Sequence, residues 1–123
     1  MRSKQELLTA TYKAFNARDI DAVLAILHPD VDWPNGMEGG RVHGRGNVRE
    51  YWTRQWAMLV PHVEPTRIED DENGRTVVDV HQVVRDLNGN ILLDQMVQHL
   101  YSIENGLIER MDIHKPELPD SVK

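Results

Sequence analysis

Residues 73–106 read Asn73-Gly74, RTVVDVHQVVRDL, Asn88-Gly89, NILLDQMVQHLYSIE, Asn105-Gly106. Asn-Gly readily takes the two left-handed conformations of a type I′ hairpin turn, and the runs between the pairs are rich in β-branched residues. The pattern predicts four strands at about 62–71, 75–86, 91–104 and 107–114, joined as an antiparallel meander. Counting outward from two-residue turns sets a register. Val83 then faces Asp94, His81 faces Met96, Asp79 faces Gln98, Gln98 faces Ile113 and Leu100 faces Met111. One side of the sheet carries Val77, Asp79, His81, Val83, Met96, Gln98, Leu100, Met111 and Ile113. The other carries Val78, Val80, Gln82, Val84, Val97, His99, Tyr101, Ile108, Arg110 and Asp112. Neither side is clean enough to be open surface. The expectation is that one meets helices and a cavity while the outer one packs on a second subunit, giving a homodimer. A single bulge would exchange the two sets, because side chains alternate with period two.

Upstream of the meander the pattern is helical. Ser3 and Glu6 form a capping box, and Leu8, Tyr12 and Phe15, with Leu7, Thr11 and Ala14, make an apolar stripe to Asn16. Asp19 caps a second helix with Ile20, Val23, Leu24 and Leu27 on one face, ended by His28-Pro29. Val31-Asp32-Trp33 is a short strand stopped by Pro34. A Gly-rich loop to Gly46 then leads into a third helix, whose face of Val48, Tyr51, Trp52, Gln55, Trp56 and Leu59 runs to Pro61. The tail at 116–123 holds two prolines and is expected to be irregular.

These 123 residues suit a single domain, and 40% hydrophobic content is enough for a core. Twenty acidic against fourteen basic residues leave a formal charge of −6, which opposes binding to nucleic acid or an anionic membrane surface. Without cysteine there is no thiol chemistry, and no compact His-carboxylate motif suggests a metal. The N-terminus has no apolar signal core and no segment reaches membrane-spanning length, so the expected location is cytoplasmic.

The order of these elements, with Phe15-Asn16-Ala17-Arg18-Asp19-Ile20-Asp21, Pro29-Asp30-Val31-Asp32-Trp33-Pro34, Gly44, and Glu104-Asn105-Gly106-Leu107-Ile108, resembles the nuclear transport factor 2-like superfamily. That superfamily includes ketosteroid isomerases and SnoaL-like polyketide cyclases. The resemblance covers residues 7–114 and implies an α+β cone: a curved antiparallel sheet, the four-strand meander plus a short N-terminal strand, wrapped around three helices and a ligand cavity. It also implies that Asp79, His81 and Gln98 face the cavity. The isomerase tyrosine falls on Thr11, the general-base aspartate on Trp33 and the oxyanion-hole acid on Gln98, so none of the three roles is kept in type.

Two readings of the charged strand residues stay open. In one, Asp79 or His81 is the acid/base in a cavity lined by Val83, Met96, Leu100, Met111 and Ile113, with Gln98 polarising a carbonyl. In the other, Asp79 and His81 meet solvent, Gln98 is a structural partner of Asp79, and Val78, Val80 and Val84 form the core. Tyr12, Trp33, Trp52 and Trp56 are candidate pocket walls, although Trp52 and Trp56 at i, i+4 also suit plain core. His99 is expected opposite Asp112, near His114, in a subunit-interface hydrogen-bond network. The expected function is cofactor-free proton transfer, as in an isomerase, cyclase or dehydratase, on a small apolar carbonyl compound. The alternative is a noncatalytic ligand-binding or dimerisation module.

Overall fold

In the structure, a computed structural model describing residues 3–36 and 38–114, three helices lie against one face of a six-stranded sheet. Helix α1 (Lys4–Asn16) starts at Ser3, whose hydroxyl oxygen accepts the Glu6 N–H at 3.1 Å. It buries Leu7, Leu8, Thr11 and Tyr12. The chain turns at Arg18, φ 60°, with Asp19 N–H reaching back to the Ala14 carbonyl and Arg18 N–H to that of Phe15, a Schellman closure. Asp19 then caps α2 (Ile20–Leu24) through its bond from Ala22 N–H. Helix α2 is shorter than its apolar pattern predicts. Leu27 opens strand β1 (Leu27–Pro34) instead, because the backbone there is taken by β6, as Ile108 N–H donates to the Ile26 carbonyl.

The remaining elements are β2 (Arg41–His43), α3 (Arg45–Met58), β3 (Leu59–Asp70), β4 (Thr76–Asp86), β5 (Ile91–Glu104) and β6 (Leu107–His114). Sheet order is β2-β1-β6-β5-β4-β3, antiparallel except for the β1/β6 pair. The fold class is therefore the expected α+β curled sheet on helices, with one added short strand and a mixed rather than wholly antiparallel sheet. The predicted tail at 116–123 lies outside the described residues. No helix among those described is long and apolar enough to cross a membrane.

Only the Asn105-Gly106 turn has positive φ at both positions, 54° and 77°. The other two hairpins are wider: Asp71 and Asp86 each accept N–H groups two and four residues on, and Gly74 and Gly89 take the left-handed position. These wider loops shift the pairing by one residue. In β5 the extra residue Leu92 shifts it back, so Val83↔Asp94, His81↔Met96 and Asp79↔Gln98 stand as counted. In β6 a bulge at Glu109 does the opposite: Tyr101 pairs with Met111, His99 with Ile113 and Leu100 with Asp112.

The core decides which side is inward. Val78, Val80, Val97, Tyr101 and Ile108 are sealed, together with Leu8, Val23, Leu27, Val31, Val48 and Trp52 from the helices and β1. Beyond the Glu109 bulge, Met111 and Ile113 join this inner side.

Candidate functional site

Between α1, α3, the loop after β1 and the inner side of the sheet lies a cavity of about 510 Å³. Its walls are aromatic because α1 and α3 each turn one face to the sheet: Phe15 and Trp33 both meet Trp52 nearly edge-on, at 5.5 and 5.4 Å between ring centres. Leu59, Pro61, Val63, Val84, Met111 and Ile113 complete the apolar lining. Among the described residues no Asp, Glu, Lys or Arg lines it.

One polar device is built into this lining. Tyr101 Oη donates to Tyr12 Oη at 2.8 Å, and Tyr12 Oη lies 2.6 Å from His99 Nδ1, all three residues being buried. Tyr12 has a single hydroxyl hydrogen. With Tyr101 already donating to it, that hydrogen goes to Nδ1, so the neutral imidazole carries its proton on Nε2. Burial holds His99 in the neutral form, its pKa lowered to about 4, and pushes the Tyr12 and Tyr101 phenols upward. Nε2 has no protein partner among the described residues and is not a sealed polar atom. His99 lines the cavity, so this N–H is offered to whatever occupies it. The Tyr12 ring lies parallel to the imidazole at 5.8 Å and Tyr101 meets it edge-on at 6.2 Å, which fixes its plane.

Of the residues marked out by sequence, Tyr12, Trp33, Trp52, Met111 and Ile113 line the cavity. Trp56 stands behind the wall, against Phe15 and Trp52, with Arg18 over its ring and its Nε1 buried without a partner. Asp79, His81, Gln98, Val83, Met96 and Leu100 are placed on the outer side, which corrects their expected orientation. Strand alternation is the reason: the sealed Val78, Val80, Val97 and Tyr101 require their odd-and-even neighbours to point away. There Gln98 Nε2 donates to Asp79 Oδ1 at 2.9 Å, and exposed His81 pairs with Asp94 at 2.6 Å. His99, expected in an outer network with Asp112, is inward instead, and Asp112 joins an exposed cluster with Arg41, Arg110 and Asp32. Thr11 also lines the cavity, but its hydroxyl is spent on the Leu7 carbonyl at 2.8 Å. Among the described residues no three His, Cys, Asp or Glu side chains converge as a metal site.

The order of helices and the curled sheet are those of a SnoaL-like domain. The chain belongs to that family, whose model matches residues 8–111. No curated protein matches it in sequence. Among solved structures it is similar to an NTF2-like protein of unknown function from Burkholderia pseudomallei, 28% identical with a TM-score of 0.79 over 94% of this chain and 92% of that one. It is also similar to TerC co-crystallised with polyporic acid, at 27% identity and TM-score 0.75 over 95% and 91% of the two chains. A putative polyketide cyclase from Pseudomonas putida shares the fold, with TM-score 0.81 at 21% identity over 94% and 93%.

Proposed function

We propose that the cavity binds a flat, uncharged organic carbonyl compound and that His99, through Nε2–H, holds and polarises the carbonyl oxygen. The observation that carries this reading is the Tyr101–Tyr12–His99 chain, which leaves one N–H donor for a largely aromatic and aliphatic lining that holds no charged side chain among the described residues. A neutral imidazole donor in a low-dielectric site stabilises negative charge growing on a carbonyl oxygen without itself carrying charge. That acidifies the C–H bonds beside the carbonyl, the step common to cofactor-free isomerases, cyclases and dehydratases. Co-crystallisation of TerC with polyporic acid supports an organic small molecule as the ligand.

A noncatalytic ligand carrier is the second reading, favoured by a lining in which no carboxylate among the described residues stands ready as a base. One experiment separates the two. Titration with 2-acetylnaphthalene is followed by Trp fluorescence, and exchange of its acetyl protons in D₂O by NMR. Binding that weakens about tenfold or more in His99→Phe, with protein-accelerated exchange, supports the enzyme; binding without accelerated exchange supports the carrier. Absence of binding contradicts both.

The outer side of the sheet, where Val77, Val83, Met96 and Leu100 stand among the Asp79–Gln98 and His81–Asp94 pairs, is the proposed seat of a second copy of the chain. The proposed location remains the cytoplasm.

A further inference from the structure

The cavity holds a second polar point that the carbonyl leaves unused. Gln82 on β4 and Gln95 on β5 face each other in register, both half-buried and both in the lining. Gln95 Nε2 donates to Gln82 Oε1 at 3.1 Å. That bond leaves the Gln95 carbonyl oxygen and the Gln82 NH₂ group without a protein partner among the described residues, and neither atom is sealed from solvent. The rungs flanking this one, Val80–Val97 and Val84–Leu93, are apolar. An amide pair interrupting an apolar ladder presents a free acceptor and a free donor side by side, the complement of a hydroxyl group.

Spacing sets what the two points can share. Gln95 and His99 lie four residues apart on one strand, about 13 Å at roughly 3.3 Å per residue. Two hydrogen bonds of about 2.9 Å leave roughly 7 Å between the ligand oxygens, the span of two fused rings. Resting on the reading that His99 holds a carbonyl, we infer that Gln82 and Gln95 are specificity-determining residues for a hydroxyl at the opposite end of the ligand. The cavity thus selects a hydroxylated flat ketone over the same ketone without the hydroxyl.

The test compares 6-acetyl-2-naphthol with 2-acetylnaphthalene on the intact chain, by fluorescence titration of wild type, Gln95→Met and Gln82→Met. The two single variants guard against misfolding in either one. The wild type should bind the naphthol about tenfold more tightly, the worth of one well-placed hydrogen bond. In either folded variant the ratio should fall toward one. Equal affinities in the wild type, or a ratio that survives both variants, overturn the role of the glutamines while leaving the His99 reading in place. If neither ketone binds the wild type, the carbonyl reading falls and this inference falls with it.

Discussion

Tyr12 on α1 and His99 on β5, separated by 87 positions in the chain, are joined by a 2.6 Å hydrogen bond between the phenol oxygen and Nδ1. This bond ties the first helix to the sheet and chooses which imidazole nitrogen meets the cavity. Removing the Tyr12 hydroxyl leaves two buried polar groups, Nδ1 and the Tyr101 hydroxyl, without their partner. Tyr12→Phe should therefore cost about 2 kcal/mol of stability, read from urea unfolding. It should also release His99 to either tautomer. A variant as stable as the wild type would show that the chain carries no tension at this joint.

Acid stability follows from the same histidine. Its pKa is lowered from 6.5 to about 4 in the folded state, so between those values the unfolded chain binds the extra proton and the folded one does not. Stability contributed this way is fully present above pH 6.5, declines as pH falls, and is lost by about pH 4, a total of roughly 3 kcal/mol. Urea midpoints measured from pH 7.5 to 4.5 should fall in the wild type and flatten in His99→Gln. Matching slopes in both proteins would assign the decline to other groups.

The lining without charge makes its own demand. A carboxylate would enter a largely apolar space where no cation among the described residues meets it. 2-Naphthoate should bind at least about tenfold more weakly than 2-acetylnaphthalene in the same titration. Equal binding would place the ligand outside the cavity.

Deletion of Glu109 tests the bulge that orients β6. Without the extra residue the strand runs unbulged through the same partners, Ser102 with Arg110 and Tyr101 with Met111, so Met111, now 3% exposed, and Ile113 stay on the inner side. The melting temperature should move by no more than a few degrees, a stability change within about 1 kcal/mol. A loss of about 3 kcal/mol or more, the scale of large core changes, would mean that the bulge itself is needed to seat β6.

The outer side offers a simple check of the proposed dimer. Met96, 46% exposed, sits at its centre opposite His81. Met96→Lys should convert a dimer to a monomer in sedimentation velocity with the helical spectrum unchanged. A wild type that is monomeric at high concentration would remove the proposal.

The hairpins show how far local chemistry reaches and where it stops. Asn-Gly pairs fix the number and order of the long strands, and β5 and β6 run over the expected residues. The β4–β5 register matched the count only because the wider loop closed by Asp86 and the extra residue Leu92 cancel. In β6 nothing cancels Glu109, and no composition signal marks that bulge. Strand β2, three residues in a Gly-rich loop, is too short for any periodicity. For Asp79 and His81 the family resemblance points to the cavity and the alternation Val78, Val80, Val84 on the neighbouring positions points outward, and the alternation prevails. His99 was hidden for a related reason: an imidazole reads as polar surface, although it shares a side with Val97 and Tyr101. What distinguishes it is a phenol from α1, and tertiary contacts of that kind leave no mark in local pattern.

The account turns on His99 as a neutral Nε2–H donor facing the cavity, and long-range ¹H–¹⁵N correlation of the histidine rings reads this directly. His99 should appear as the Nε2–H tautomer, stay neutral from pH 7 to 5, and shift at Nε2 when 2-acetylnaphthalene is added. An Nδ1–H tautomer, a titration near pH 6.5, or an Nε2 signal that ignores the ketone would contradict it.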